Sequence, residues 1–318
     1  MQKIDTIPNF FIVGAPKCGT TALSRYLGQH HNIFISTPKE PHFFASDFKN
    51  HRAIGSFEEY QKLFATCSRE HLAVGEASVW YLYSQVAVRN IFDFNKQSKI
   101  IVMLRNPIDL VYSLHSQHIY AFYEDREQFQ TAWELQEERS RGQKIPRMCR
   151  QPELLQYGKV GKLGEQLERV LEIFPRCQVK MILFDDFKAE TKRVYVDVLS
   201  FLGVPDDQRE DFPVINQNKA HRLMWLSQIL QNRNNGPAFW LKYIEGVLKH
   251  KVPGGTRLQL TTRLLNMSIV TRSRPPLDPS LRKELAESFR SDIEKLSFIV
   301  DRDLSHWLVA KEATALHK

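Results

Sequence analysis

Residues 10–27, FFIVGAPKCGTTALSRYL, run an apolar stretch into two glycines five positions apart and then into a helix-like segment. That succession is the strongest constraint in the chain. A buried strand must stop, the backbone must turn sharply, and a helix must begin with its free N–H groups facing the turn. Backbone amides arranged in this way cradle anions, as in the G-x-x-x-x-G-K-[ST] loop that holds nucleoside triphosphates. The glycine spacing is the same here, but the cation is displaced: Lys17 sits inside the loop, and Thr20 and Thr21 follow Gly19. Such a lysine suits the terminal group of a short phosphate chain, and the two hydroxyls add donors. A tight turn that merely happens to carry a lysine is the alternative for this loop taken alone.

Short apolar runs and helical patterns alternate along the rest of the chain. Residues 9–14, 72–78 (LAVGEAS), 99–107 (KIIVMLRNP) and 179–187 (VKMILFDDF) read as strands. Residues 20–30, 108–122, 158–174, 189–202 and 280–297 read as helices. This predicts an α/β fold of three layers, like that of P-loop NTPases, with a central, mostly parallel sheet flanked by helices. Residues 124–144 are charged and read as a surface helix and loop. Residues 216–279 are basic, interrupted by proline and glycine, and read as a long insertion or lid. The expectation is a single domain over 1–318, with a core at about 9–222 and a helical or lid extension over 223–318 completing it.

Composition narrows the partners. With 42% hydrophobic and 25% charged residues, the chain has ample material for a core, which argues against disorder. The net charge of +8 favours anionic ligands without choosing among small anions, nucleic acid and an acidic surface. No RNP, KH, zinc-finger or basic-helix pattern is found, so nucleic acid is not expected. No run approaches the ~18 apolar residues of a membrane span. The N-terminus lacks the pattern of a secretory signal, and Cys18, Cys67, Cys149 and Cys177 form no C-x-x-C pair. The expectation is a cytoplasmic protein with free thiols. His115 and His118 have helical i,i+3 spacing but lack the acidic or cysteine partner of a usual metal site.

Two further motifs carry chemistry. In LRNPIDLVYS (104–113), Arg105 ends the strongest strand and Ser113 lies two helical turns later. A forked guanidinium and a hydroxyl can converge on one phosphate, at the carboxyl end of a strand where α/β sheets bind ligands. In STPKEPHFFASD (36–47), Pro38 and Pro41 force an extended segment that presents Lys39, Glu40, His42, Phe43 and Phe44. Either Glu40 or His42 is of a type that serves as a general base.

PKCGTTAL, KEPHFF and LRNPIDLVYS, in this order along the chain, resemble the sulfotransferases that use PAPS (3′-phosphoadenosine 5′-phosphosulfate), of the carbohydrate and bacterial type. The resemblance covers roughly residues 9–222, including YGKVGKLGEQLERVL and the helix ending in FLG. It implies a 5′-phosphosulfate site at Lys17, Cys18, Gly19, Thr20, Thr21 and Ala22, and a 3′-phosphate site at Arg105 and Ser113. Lys219 and Arg222 in NQNKAHR would add nucleotide contacts. Glu40 is implied as the general base, with His42 orienting the acceptor or sharing that role. Phe43, Glu76, Ser78 and Tyr81, with His115 and Gln117 on the Ser113 helix, would line the acceptor site. The implied reaction is in-line sulfonyl transfer that releases adenosine 3′,5′-bisphosphate (PAP), with Lys17 stabilising the leaving phosphate and no metal required.

The chain departs from the polysaccharide enzymes at Thr21, where they tend to carry arginine, and at Ala77, where they tend to carry lysine. Both changes remove cations. The expectation is therefore a small, less acidic acceptor such as a natural product, sulfonated on a hydroxyl or on an amine or carbamoyl nitrogen. A carbohydrate, lipid or carrier-bound acyl chain is the alternative, and a homodimer is compatible with either. The rivals from other classes are a P-loop small-molecule kinase, with Asp185 and Asp186 as magnesium-holding acids, and a basic nucleic-acid-binding protein.

Overall fold

The computed structural model describes residues 7–215 and 274–309, with the backbone of 219–221 and 269–271. Five strands form one sheet: β1 (Phe10–Gly14), β2 (Ile33–Ile35), β3 (Ala73–Ala77), β4 (Lys99–Leu104) and β5 (Val179–Leu183). Their spatial order is β2-β3-β1-β4-β5, and every pairing is parallel. All of β1 and β3 is buried, and so is β4 apart from Lys99. Strands covered on both faces need no polar alternation, which is why they stand out as continuous apolar runs.

The direction of winding reverses at β1. The chain leaves β1 through α1 (Thr20–Leu27) to β2 at the edge and returns to β3 beside β1. From there α3 (Ala87–Phe94) carries it to β4 on the other side of β1. The connections therefore diverge around one central strand, and a crevice opens where the strands end. α4 (Pro107–Tyr120) follows β4, and α9 (Phe184–Ala189) and α10 (Thr191–Leu202) follow β5. Asn106 caps α4 by accepting from the Ile108 N–H at 2.9 Å, with Pro107 at the first helical position.

Several expectations change. The helix read over 158–174 breaks at Lys162 into α7 (Tyr157–Gly161) and α8 (Leu163–Ile173). Asp292, from α11 (Pro279–Val300), accepts from the Gly164 and Glu165 N–H groups at 2.8 and 2.9 Å. A carboxylate from a distant helix thus caps the start of α8. The run 179–187 leaves the sheet at Leu183, and FDDF begins α9. α2 (Phe57–Lys62) opens with a Ser56–Glu59 capping box.

The charged stretch 124–144 forms α5 (Phe129–Glu134) and α6 (Gln136–Ser140), but it is not simply surface. The Arg139 guanidinium and the Glu124 carboxylate are fully buried and meet in two 2.6 Å hydrogen bonds. Glu124 also accepts from the Tyr157 hydroxyl at 3.0 Å and from the Asp125 and Arg126 N–H groups, both at 2.9 Å. Of the region read as an insertion or lid, β6 (Lys219–His221) and β7 (Ile269–Thr271) pair antiparallel. Most of that region, with Arg222 and the Lys219 side chain, lies outside the described residues.

Candidate active site

The sheet delivers a functional segment from the carboxyl end of each strand. After β1 the chain turns at Gly14 (φ 149°), where a Cβ would stand 2.7 Å from the Val79 carbonyl oxygen. It then enters α1 through Gly19 in the left-handed region at φ 88°. Both positions call for glycine. Between them Lys17 also holds a positive φ of 63°, a conformation that costs a non-glycine residue energy and concentrates at functional sites. The Lys17 carbonyl accepts from Arg105 Nη1 at 2.9 Å, which locks the loop to the end of β4. The same guanidinium lies over the Phe184 ring, 4.7 Å from its centroid.

These segments enclose a cavity of about 540 Å³. Lys17, Gly19, Thr20, Thr21 and Ala22 line it, together with Arg105, Ser113, Gln117 and Glu40. The sequence reading of the donor loop, the arginine–serine pair and the acidic residue thus converges on one space. Ser113, Gln117 and Tyr120 all reach it from α4, as residues four and three apart on one helical face must. Cys18 belongs to the loop but its side chain is fully buried, and its Sγ lies against the Pro16 carbonyl at 3.4 Å.

Four cations among the described residues line the cavity: Lys17, Arg105, Lys188 and Arg274. Burial first, and then the Arg274 and Arg105 charges, lower the Lys17 pKa to about 8. A bound anion would reverse that pressure. Lys188 and Arg274 were not singled out in the sequence. Lys188 stands one helical turn after Phe184 on α9, between the run read as a strand (179–187) and the one read as a helix (189–202). Arg274 sits in an arginine- and proline-rich stretch without periodicity. Trp80 and Tyr120, which also line the cavity, carried no signal beyond their apolar surroundings.

Glu40 is the one carboxylate among the described lining residues. It lies 2.7 Å from Lys39 Nζ and 3.4 Å from His42 Nε2. Burial pushes its pKa up, but the His42 hydrogen bond and the Lys39 charge outweigh this and hold it at about 2. Glu40 is therefore ionised at neutral pH, with its charge held by Lys39 and His42. His42 is buried behind it and does not line the cavity.

The remaining acceptor-site expectations are placed differently. Glu76, Ser78 and Tyr81 are fully buried and bonded to one another, not on the cavity wall. Phe43 stacks on Tyr60 at 4.5 Å between ring centroids. His115 is buried, and its Nε2 is 2.7 Å from the Arg126 carbonyl oxygen. Gln117 alone of that set reaches the cavity. Asp185 accepts from Trp307 Nε1 at 3.1 Å, and Asp186 pairs with Arg302. The two acids a kinase would need are thus engaged elsewhere.

A parallel sheet that gathers cations, helix-start amides and one carboxylate in a single crevice defines an enzyme that handles a nucleotide-borne anionic group. The chain belongs to the sulfotransferase domain family, the enzymes of PAPS-dependent sulfonyl transfer: residues 8–235 match its family model. A crystal structure of a sulfotransferase from Alicyclobacillus acidocaldarius aligns with a TM-score of 0.69 at 29% identity, covering 95% of this chain and 99% of that one. The mouse bifunctional heparan sulfate N-deacetylase/N-sulfotransferase 3 is 25% identical over 96% of this chain and 32% of its own length. The Dictyostelium discoideum membrane-associated sulfotransferase kil1 is 32% identical over 34% of this chain and 22% of that protein. The chain spans about a third of the length of the heparan sulfate relatives, 32% in both the mouse and human enzymes. Among the described residues no helix is long and apolar enough to cross a membrane, and no group of three or more His, Cys, Asp or Glu could hold a metal.

Proposed function

We propose that the chain transfers the sulfonyl group of PAPS to a hydroxyl or amine of a small-molecule acceptor, as a single domain whose core includes α11. One observation carries this reading: the cavity that holds four cations and the amides of the Gly14–Gly19 turn also holds Glu40 as its one described carboxylate. The acceptor oxygen or nitrogen attacks sulfur and its proton passes to Glu40. The bond between sulfur and the phosphate oxygen breaks, and its electron pair leaves on PAP. Lys17 and the loop amides stabilise the charge where it develops, which is how preorganised donors accelerate a reaction. Arg105 and Ser113 hold the 3′-phosphate, and Lys188 and Arg274 extend the same electropositive wall.

For the acceptor, the reading is a neutral or weakly charged small molecule such as a natural product. Val79, Trp80, Gln117 and Tyr120 supply an uncharged part of the wall. A carbohydrate acceptor is the second reading, favoured by the likeness to proteins named for heparan sulfate. Incubation with radiosulfur-labelled PAPS and fractionated cell extract tests both. Label appears in a small-molecule fraction on the first reading and in a glycan fraction on the second. The sulfotransferase reading itself requires PAP to raise the thermal midpoint where ATP–Mg²⁺ does not.

A further inference from the structure

The segment that carries Glu40 is docked on the end of β3 in an unusual way. Three alternate amides donate to the stretch 77–81 at the end of β3. The Glu40 N–H donates to the Ala77 carbonyl at 3.1 Å. The His42 N–H donates to Ser78 Oγ at 3.1 Å, and the Phe44 N–H to the Tyr81 hydroxyl at 3.2 Å. The first contact is an ordinary backbone bond, but the next two end on side-chain hydroxyls. Each hydroxyl has spent its own proton on Glu76: Ser78 donates to Oε2 at 2.8 Å and Tyr81 to Oε1 at 2.9 Å. The Tyr60 hydroxyl adds a third donor to Oε1 at 2.9 Å. The Glu76 carboxylate therefore dictates which way each hydroxyl points, and leaves a lone pair of each facing the Glu40 segment.

The segment needs that support. Glu40 and His42 both hold positive φ, 64° and 51°. Such conformations persist only where the surroundings over-determine them. Glu76 itself has 0% exposure, so it reaches neither solvent nor the cavity.

We infer that Glu76 is the positioning residue of this active site: through Ser78 and Tyr81 it fixes the backbone that aims Glu40 at the acceptor and seats His42 behind it. The inference rests on the proposed role of Glu40, but its anchoring part can be read without any turnover. Burial pushes Glu76 up to about 7 against the pull of its three hydroxyl donors, so measurements belong at pH 8, where it is ionised and acceptor-only.

The experiment compares full-length Ser78→Ala, Tyr81→Phe and Glu76→Gln with the unsubstituted chain. Each of the first two removes a single hydroxyl, which keeps the test open if Glu76→Gln does not fold. Amide hydrogen exchange over residues 38–46 accelerates about tenfold or more in Ser78→Ala and Tyr81→Phe, the opening of one local unit. PAP affinity stays within about threefold, and kcat with PAPS falls about 10- to 100-fold, the penalty of misplacing a reacting group by a fraction of an ångström to an ångström. Unchanged exchange in the folded variants overturns the anchoring. Faster exchange with kcat within about twofold of the unsubstituted chain overturns the positioning role. A parallel loss of PAP affinity overturns it too, because the hydroxyls would then be holding the whole site. If the unsubstituted chain shows no turnover of PAPS at all, the sulfotransferase reading fails instead, and the exchange data still decide the anchoring.

Discussion

In the proposed transfer, Lys17 and Glu40 divide the chemistry between them. Lys17→Ala removes a charge that matters most as the leaving phosphate develops. The expected loss is about 100- to 1,000-fold in kcat, with the circular dichroism spectrum unchanged. Glu40→Gln keeps the shape and removes the proton acceptor, for a loss of about 100- to 10,000-fold. A Glu40→Gln variant with ordinary turnover overturns the base assignment. The pH dependence follows from Lys17. Its pKa in the empty site is about 8, and only the protonated form attracts the phosphosulfate. Donor affinity is thus fully present below pH 8 and is lost progressively above it, up to the higher pKa that the bound anion gives the lysine. Calorimetry with PAP from pH 6.5 to 9.5 reads this directly, and Lys17→Arg abolishes the fall, because arginine stays charged throughout.

At the scale of elements, the charged stretch between α4 and α7 holds the clearest stability prediction. Arg139→Ala leaves the Glu124 carboxylate buried without its two 2.6 Å partners. Denaturant unfolding is expected to show a loss of about 3–5 kcal/mol. The pair was illegible in the sequence, since both members sit among many exposed charges of similar spacing and only the tertiary fold selects them. β1 and β4 were legible because burial on both faces makes them nearly continuous apolar runs, and β3 and β5 because each runs apolar residues into a polar stop. β2 was not, since Ile33–Ile35 is too short to show a period. Around the cavity, residues within a local motif could be read: the Lys17 loop, Arg105 with Ser113, and Glu40. Lys188 and Arg274 could not, because they reach the cavity from separate elements with no shared spacing. Glu76, Ser78 and Tyr81 were expected to line the acceptor site, but the structure buries them behind it.

Across the whole molecule, one hydrophobic cluster runs from β1 to Leu285, Phe289 and Ile293 of α11, and Asp292 ties that helix to the start of α8. Unfolding of the full chain is accordingly expected as one cooperative transition, with the fluorescence and circular dichroism midpoints coinciding. PAP at a hundred times its Kd stabilises the single folded state by about 2.7 kcal/mol, so both midpoints rise together. Two separated transitions, only one of them responsive to PAP, refute the single-domain reading.

The chemistry gathers at one rim of the sheet, where all five strands finish. The opposite rim, where β3, β4 and β5 begin, is joined by short connections whose exposed residues include Lys96, Gln97, Arg176 and Cys177. None of these residues lines the crevice. Foreign sequence, such as a reporter peptide or an affinity handle, is therefore best grafted there, on the side of the sheet turned away from catalysis.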